Sequence, residues 1–298
     1  MSGFEVLNAG LFASIQDLGR QGYAHLGISH SGAMDEYAYR WSQKLLQHQK
    51  QNQNALELMA GLRLKATAPT QIAITGANLS FKINAQEVTI WQTHQIKAGD
   101  ILSFDKRVSG QRAYLAVKEG FILKKQYRSY STTLKENIGA RVQKGDFLAF
   151  NPYSAHNRQR VKSLYIPNYE KPLILRLLLS YQEAYFEKKE KEKFFASKYE
   201  VTLQSDRMGY RLKGEAITPS RTDIISEGIA FGSIQIPKGG QPIVLLKERQ
   251  TIGGYPKIGT VIPLDCFKLA QAPIGSQVAF EKIGIEEAQK LMKRYMQL

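Results

Sequence analysis

Cysteine is almost absent from the sequence, and so are the long apolar runs of membrane proteins. The one cysteine, Cys266, has no second thiol for a disulfide and cannot form a zinc site alone. No stretch approaches the ~20 apolar residues of a membrane span, and the first residues lack the basic start and apolar core of a signal peptide. We therefore predict a cytoplasmic protein with no membrane partner.

Several motifs of catalytic sites are also missing. There is no G-x-x-x-x-G-K-[ST] loop, no H-E-x-x-H motif and no paired spacing among the five histidines. The stretch GISHSGA at 27–33 lacks the second glycine of a nucleophile elbow. These absences exclude a P-loop ATP site and a serine triad, and we predict no metal site.

The 298 residues have ordinary globular proportions, with 43% hydrophobic and 22% charged residues, and this length predicts two domains. The 41 lysines and arginines outnumber 26 acidic residues, so the net charge is +15, which suits a phosphate-bearing ligand, a nucleic acid or an acidic partner. The densest charged run, EKKEKEK at 187–193, alternates in sign as a solvated helix face does. Because no nucleic-acid-binding motif occurs, we predict no nucleic-acid partner.

Three pairs of segments are similar at offsets of 129 to 130 residues, which indicates an internal duplication of about 70–151 onto 199–281. They are GQRAYLAV with GQPIVLLK, VQKGDFLAF with APIGSQVAF, and IAITGANLSFKI with VTLQSDRMGYRL. Each copy consists of short alternating apolar runs bounded by glycine, a pattern typical of β-strands. Because closure removes unpaired sheet edges, we predict a mainly β protein with two tandem β-barrels.

A few peripheral helices and one linker complete the predicted architecture. Apolar residues recur at helical spacing at 34–47 and 285–298, and the charged run predicts a third helix at 181–195. The polar, proline-flanked stretch 151–172 reads as a linker. We therefore place the first domain at 1–160 and the second at 161–298.

The first group of candidate site residues is Gln16, Asp17, Arg20 and Ser31, which lie among glycines in QDLGRQGYAHLGISHSGAMD. Glycines permit close backbone approach and positive φ, as an anion-binding loop requires. The alternative is an ordered loop capped by its own side chains, with Ser31 or Asp35 capping the next helix.

The second group lies in SDRMGYRLKG at 205–214. Its counterpart in the first copy has no charge before Lys82, whereas the second copy introduces Asp206, Arg207 and Arg211. Buried charges are costly unless they are paired or used. A structural salt bridge from Asp206 to one of the arginines and a functional role both stay open.

The third group lies in LLKERQTIGGYPKIG at 245–259, which replaces a simpler loop of the first copy. A guanidinium binds planar anions in a bidentate manner, and glycine amides can complete such a site. We favour a binding site for a carboxylate, amide or phosphate over a wide hairpin with a glycine pair at its turn. The candidate residues are Arg249, Gln250, Thr251, Gly253, Gly254, Tyr255 and Lys257.

Several longer motifs, taken in order, carry a family resemblance that extends from about residue 4 to about residue 283. They are GLFASIQDLGRQGY, SHSGAMD, SDRMGYRL, SEGIAFGSIQIP, GQPIVLL and ERQTIGGYPKIGTVIPLD. Together they resemble the C subunit of bacterial 5-oxoprolinase, a family also described as allophanate hydrolase subunit 2 or biotin-dependent carboxyltransferase-like, which includes KipA-type antagonists of a kinase inhibitor. The resemblance implies two cyclophilin-like β-barrel domains.

The resemblance also implies an activity and partners. The chain would act with a KipI-like B subunit and with the A subunit of the same enzyme in the ATP-dependent opening of 5-oxo-L-proline to L-glutamate, with Mg accompanying ATP. A lactam is a poor electrophile, so phosphorylation of its carbonyl oxygen would precede attack by water. The implied catalytic residues are Arg249, Gln250, Thr251, Arg207 and Asp206. The implied substrate-binding or ATP-binding residues are Gly253, Gly254, Tyr255, Lys257, Gln16, Asp17, Arg20 and Ser31.

Two other function classes stay open. One is an allophanate hydrolase or carboxyltransferase-like module, and the other is a regulatory binder of a KipI-like kinase inhibitor. Carboxyl transfer would need biotin from another chain, because no A-M-K-M acceptor motif occurs and the nearest sequence is Leu291-Met292-Lys293-Arg294. The positive charge suits ATP and an acidic partner equally well.

Overall fold

A computed structural model describes residues 1–48, 53–155 and 157–297. It is mainly β, with four α-helices in the described residues, which confirms the predicted fold class. The chain forms two compact units: unit 1 comprises Met1–Gln21 and Ser31–Glu170, and unit 2 comprises Gly22–His30 and Lys171–Leu298. The division after residue 170 falls inside the predicted linker 151–172. The domain boundary at 160/161 stays a prediction.

In the part of unit 1 that the structure describes, eleven strands form two sheets. One sheet has the order β11-β1-β4-β9-β6-β7 and the other the order β2-β3-β10-β5-β8. The strands are β1 Gly3–Ala9, β2 Ala13–Gln16, β3 Ala55–Leu58, β4 Leu62–Ala66, β5 Thr70–Asn78, β6 Phe81–Ile83, β7 Gln86–Glu87, β8 Gln92–Ile96, β9 Ile101–Phe104, β10 Ser109–Val117 and β11 Phe147–Ala149.

The two sheets of unit 1 enclose one hydrophobic core to which both contribute. In β4 the buried Leu62, Leu64 and Ala66 alternate with exposed basic residues, so one face of the strand points into the core. Phe4, Phe81 and Phe104 fill the centre. Strands β2 and β11 lie at the ends of their sheets, and the segment between β10 and β11 runs along this pair of edges through isolated bridges such as Ser14 with Arg141.

Unit 2 contains a closed barrel with the order β12-β19-β16-β17-β14-β13-β20, and a separate two-stranded ribbon, β15-β18. Parallel pairing of β12 with β20 closes the barrel. The strands are β12 Leu173–Leu179, β13 Tyr199–Val201, β14 Gly209–Lys213, β15 Glu227–Gly228, β16 Ser233–Gln235, β17 Ile243–Leu245, β18 Ile252–Gly253, β19 Lys257–Val261 and β20 Gln277–Lys282.

The four α-helices flank these sheets: α1 Glu36–Leu45, α2 Lys188–Ala196, α3 Pro263–Leu269 and α4 Ile285–Met296. Helix α1 begins where the sequence predicts, because the side chain of Asp35 accepts a hydrogen bond from the Ala38 amide at 3.0 Å. The predicted helix at 181–195 is instead a 3₁₀ turn over Tyr181–Tyr185 followed by α2. Within the described residues, none of the helices is long and apolar enough to cross a membrane.

The segments of the predicted duplication form strands in both units, but their neighbours differ. Strands β5 and β10 pair directly in unit 1. Their sequence counterparts in unit 2, β13 and β17, are separated by β14 in the barrel. The duplication itself therefore stays a prediction.

An ion pair between a half-buried arginine and a buried aspartate fastens helix α3 to the barrel of unit 2. Arg176 of β12 donates from Nε to Asp265 Oδ2 at 2.7 Å and from Nη2 to Oδ1 at 2.8 Å. Burial alone would raise the pKa of Asp265, but the hydrogen bonds from Arg176 and the charge and hydrogen bond of Lys268 together outweigh it, and the pKa lies below its ordinary value.

Asp265 predicts a specific pH dependence of stability. A carboxylate whose pKa is lower in the folded than in the unfolded state stabilises the fold above about pH 4, its unfolded pKa, and this contribution is lost as the pH falls through the folded pKa. We expect Asp265→Asn to destabilise the protein at pH 7 and pH 5 by the same amount. Urea unfolding measures the free energy of unfolding of both proteins. The difference between Asp265→Asn and the unmodified protein should become smaller below about pH 4. A difference that stays constant down to about pH 3 would contradict this prediction.

Candidate functional site

The second and third sequence groups lie side by side in unit 2. Strand pairing of Gly209 with Leu245 continues beyond the strand ends, where the Leu246 amide donates to the Met208 carbonyl at 2.8 Å and the Glu248 amide to the Arg207 carbonyl at 2.9 Å. The structure therefore brings the motifs SDRMGYRL and LLKERQTIGGYPKIG together, as a common site requires.

Arg249 is a half-buried cation in this region. Its Nε donates to the Ile229 carbonyl at 3.0 Å, its Nη1 to the Leu246 carbonyl at 3.3 Å, and its guanidinium lies 5.9 Å from the centroid of the Phe231 ring. Burial lowers the pKa of Arg249 from its ordinary value. Among the residues that the structure describes, no carboxylate pairs with it. Since a partly desolvated charge without a counterion is unfavourable, this position suits an anionic ligand.

A second cation, Lys247, lies against the same aromatic ring. Its Nζ is 5.0 Å from the centroid of Phe231 and 5.6 Å from that of Phe267, and the residue is only 4% exposed. Cys266 lies near both cations, and burial raises the pKa of its thiol well above the ordinary value, as is typical of a buried structural thiol. Sequence analysis missed Lys247, because its burial depends on rings distant in the sequence.

Asp206 and Arg207 have different roles in this geometry. Asp206 Oδ1 accepts the amides of Met208 at 2.8 Å and Gly209 at 3.2 Å, which fixes the turn before β14. Arg207 forms an ion pair with Glu248, and both side chains are largely buried. A carboxylate from the neighbouring motif thus pairs with Arg207. This arrangement leaves Arg249 as the cation best placed for a ligand.

Gly253 lies in the ribbon β15-β18, where it is paired with Glu227, and Gly254 directly follows the ribbon. A Cβ atom on Gly253 would stand 2.6 Å from Ile229 Cδ1 and 2.7 Å from Gln235 Nε2, so a larger residue would require the ends of these two side chains to move. Tyr255 is 42% exposed, Gln250 is exposed and Thr251 is half-buried. These side chains border the ribbon and are accessible to a ligand.

Lys257 is a buried ion-pair partner in β19. Its Nζ pairs with Glu227, which also accepts hydrogen bonds from the Tyr181 hydroxyl and, at 2.9 Å, from Gln182 Nε2. The bond from Lys257, with that from Tyr181, lowers the pKa of Glu227. This cluster fixes the ribbon to the barrel. Glu227 lies in the motif SEGIAFGSIQIP, but neither it nor Tyr181 is among the candidate residues that the sequence indicates.

The first group lies in unit 1, and its centre is the fully buried Asp17. Asp17 Oδ1 accepts the Ser129 hydroxyl at 2.7 Å, the Ser131 hydroxyl, and the Gly19 amide at 2.8 Å. Its Oδ2 accepts the Tyr130 amide at 2.8 Å. The carboxylate is therefore an internal organiser of the 129–131 segment.

The other three residues of the first group bind the same segment. Gln16 Nε2 donates to the Thr132 carbonyl at 3.2 Å, and the Ser31 hydroxyl donates to it at 3.0 Å. Arg20 donates from Nη1 to the Thr133 hydroxyl at 2.7 Å and from Nη2 to the Ser131 carbonyl. Direct ligand binding by these side chains would require exchange of internal hydrogen bonds. They are suited to holding a wall of backbone in place.

The chemistry available in unit 2 is electrostatic. Arg249 provides a cation, and nearby Thr251 and Gln250 provide a hydroxyl and an amide. Such groups bind and orient an anion, and they can stabilise charge that develops on oxygen. In the part of the chain that the structure describes, no cluster of three or more His, Cys, Asp or Glu residues is arranged to hold a metal ion.

Comparison with known proteins identifies the family. The sequence profile of the carboxyltransferase domain, subdomain A and B, matches residues 26–282. The chain belongs to this carboxyltransferase domain family. Two curated relatives, the C subunits of 5-oxoprolinase from Haemophilus influenzae and from Escherichia coli, are each 34% identical to it. The alignments cover 97% and 96% of this chain and 94% and 93% of the relatives. The predicted resemblance is thereby confirmed.

A solved structure has a closely similar fold. The urea amidolyase of K. lactis superposes with a TM-score of 0.93 at 25% identity, over 99% of this chain. This chain corresponds to only 19% of the length of that amidolyase. The chain therefore matches nearly the whole length of the two curated relatives but only one part of the amidolyase.

Proposed function

We propose that the chain is one component of a multi-subunit, ATP-dependent 5-oxoprolinase, which cleaves 5-oxo-L-proline to L-glutamate. The observation that carries this proposal is the 34% identity to two proteins named as the C subunit of 5-oxoprolinase, over almost the full length of all three chains. The proposed partners are a KipI-like B subunit and the A subunit of the same enzyme. ATP, with Mg, is the proposed co-substrate, and the proposed location is the cytoplasm.

The geometry of unit 2 supports a role in activating the lactam. Opening an unactivated amide is slow, and transfer of a phosphoryl group to the carbonyl oxygen makes the ring carbon electrophilic. This step spreads negative charge over phosphoryl oxygens, and a positioned guanidinium stabilises such charge. Arg249 is half-buried, and no carboxylate among the described residues pairs with it. We therefore propose that Arg249 contacts the phosphoryl group. Gln250, Thr251 and the Gly253-Gly254 backbone orient the substrate in this proposal.

The charge pairs around Arg249 define supporting roles. Arg207 adds positive charge near the site, although Glu248 partly neutralises it. Asp206 keeps Arg207 in place by fixing the turn, and Lys257 holds the ribbon through Glu227. Asp206 and Lys257 are therefore proposed as positioning residues. Tyr255 borders the site.

An omission experiment tests the proposed function. The chain is purified together with its proposed B and A partners, and 5-oxoproline-dependent ATP hydrolysis and glutamate formation are both measured. We expect full turnover with all three proteins and at least a hundredfold loss when this chain is omitted, because the activating site would be incomplete. Assembly without any ATP consumption would contradict the proposal and favour a regulatory binder.

A second candidate function is that of a carboxyltransferase-like module, which the family profile and the similarity to urea amidolyase favour. Biotin in this case belongs to another chain. The same three proteins can be supplied with urea, a biotinylated carrier protein, and a biotin carboxylase with ATP and labelled bicarbonate to carboxylate the biotin. Transfer of the labelled carboxyl group from biotin to urea, with no glutamate formed from 5-oxoproline, would replace the first proposal by the second.

A further inference from the structure

Unit 1 contains a cavity of about 270 Å³ that the proposed function leaves unused. It lies where the edge strands β2 and β11 are bridged by the segment between β10 and β11. Ligand sites often lie at the mouths of β-barrels and between sheet edges, and pockets for drug-sized molecules measure about 300–1,000 Å³. A cavity of this size suits a small metabolite and is too small for a nucleotide.

The floor of the cavity is apolar and belongs to the core of unit 1. Ile15, Ile138, Val142 and Leu148 line it, and each is at least nine-tenths buried. Leu123, which is 47% exposed, forms one side. A ligand must therefore bring a compact apolar body to cover this surface.

One wall is the backbone of residues 129–132, which the first sequence group holds rigidly. Asp17 binds Ser129, Tyr130 and Ser131, as described above, and Arg20 donates to the Ser131 carbonyl. A wall fixed by buried charged groups is preorganised, which reduces the entropic cost of binding. This explains why polar residues crowd the motif QDLGRQGY without themselves facing the cavity.

The turn beside this wall is strained. Gln126 and Ser129 exchange backbone hydrogen bonds at 2.9 and 3.1 Å, and the two residues between them, Tyr127 and Arg128, have φ of 51° and 61°. Glycine or asparagine usually occupies such positions. Strain of this kind is concentrated at ligand sites and turns whose geometry is fixed by their surroundings.

The rim of the cavity carries more positive than negative charge. Lys124 and Arg141 line it, and neither pairs with a carboxylate among the described residues. Arg141 Nη2 donates to the carbonyls of Leu11 and Gly10, and its guanidinium lies 5.8 Å from the centroid of the Phe12 ring, so only its remaining N–H groups can reach a ligand. The acidic residue in the lining, Asp146, accepts the Gln143 amide at 2.8 Å and so belongs to a turn. A third cation, Lys125, lies 4.9 Å from the Tyr130 ring centroid. The cationic rim above an apolar floor complements an organic carboxylate.

We propose that this cavity binds a small organic carboxylate with a compact apolar body. Its carboxylate lies between Lys124 and Arg141, and its apolar part covers Ile15, Val142 and Leu148. The site requires neither ATP nor a partner protein. The ligand class includes 5-oxoproline, and for that ligand the inference rests on the proposed function. Binding to the chain alone and ATP turnover of the complex are separate measurements, so either can fail without the other.

The experiment is a ligand-observed NMR titration of the full chain. The probe is cyclopentanecarboxylate, and its uncharged isostere cyclopentanecarboxamide is the matched comparison. We expect the carboxylate to bind at least tenfold more tightly, because charge-assisted hydrogen bonds are about twice as strong as neutral ones. Equal affinity for the two probes, or no binding of either at millimolar concentration, would overturn the proposal.

Variants locate the binding. Ala140 is exposed and lines the cavity, so Ala140→Trp should fill the space and weaken both probes at least tenfold, whereas Ala140→Ser should not. The double variant Lys124→Met with Arg141→Gln should remove the preference for the carboxylate, and Lys97→Met, an exposed lysine elsewhere in unit 1, should retain it. Thermal unfolding checks each variant's fold. Unchanged affinity in Ala140→Trp would show that the probe binds elsewhere.

Discussion

Arg249→Ala is expected to lower 5-oxoproline-dependent ATP turnover by at least about a thousandfold while leaving the complex assembled. An arginine that stabilises a transferring phosphoryl group contributes about 10³–10⁵ in rate. Arg249 is half-buried, so its field is screened less than that of a surface cation. Its bonds to the Ile229 and Leu246 carbonyls fix the guanidinium in one position before any ligand arrives.

The bonds that position Arg249 also define the controls. Arg249→Lys keeps the charge but loses the planar fork, so we expect an intermediate loss of activity. Arg211→Ala, which removes an exposed guanidinium from the neighbouring strand β14, should leave turnover within twofold. Co-purification of the three proteins and the melting temperature are measured for every variant. Near-normal turnover of Arg249→Ala in an intact complex would contradict the assignment of this residue.

The β class of the protein could be predicted because short-range patterns determine it. The alternation of Leu62, Leu64 and Ala66 with basic residues is a local property of the strand. The start of α1 can be predicted for the same reason, because it depends on a contact between residues close in sequence. The Asp35 side chain caps the helix by accepting a hydrogen bond from the amide of Ala38, three residues later in the chain. Helix α3 was missed, since its buried face, which includes Cys266 and Phe267, gives the short segment no amphipathic pattern.

The candidate site could be predicted only in part, because its contacts join residues far apart in sequence. The glycine-rich loop at 245–259 can be recognised in the sequence. The ion-pair partner of its Lys257 cannot, because that partner, Glu227, lies thirty positions earlier. The burial of Lys247 between Phe231 and Phe267 likewise depends on the barrel closing. Polar residues near Asp17 were recognised as unusual, whereas their role in holding the 129–132 wall required the fold.

Asp17→Ala is expected to lower the free energy of unfolding by about 3–5 kcal/mol. The carboxylate is fully buried, and its loss would leave two hydroxyl and two amide donors of Gly19, Ser129, Tyr130 and Ser131 without their acceptor. Each buried donor left unsatisfied costs about 1–3 kcal/mol, although water entering the space would recover part of this. Asp17→Asn should lower the free energy of unfolding less than Asp17→Ala does. Its amide oxygen still accepts hydrogen bonds in place of one carboxylate oxygen, whereas its NH₂ group replaces the other oxygen and faces donors.

The matched control for Asp17 is Asp105, which is exposed and pairs with Lys82 at 2.7 Å. Surface ion pairs contribute about 0–1 kcal/mol, so Asp105→Ala should change stability by no more than that. Urea unfolding followed by circular dichroism measures both variants. If Asp17→Ala proved as stable as Asp105→Ala, the 129–132 segment would not depend on the buried carboxylate. The rigid wall that we infer for the cavity of unit 1 would then have to be held by Gln16, Arg20 and Ser31 instead.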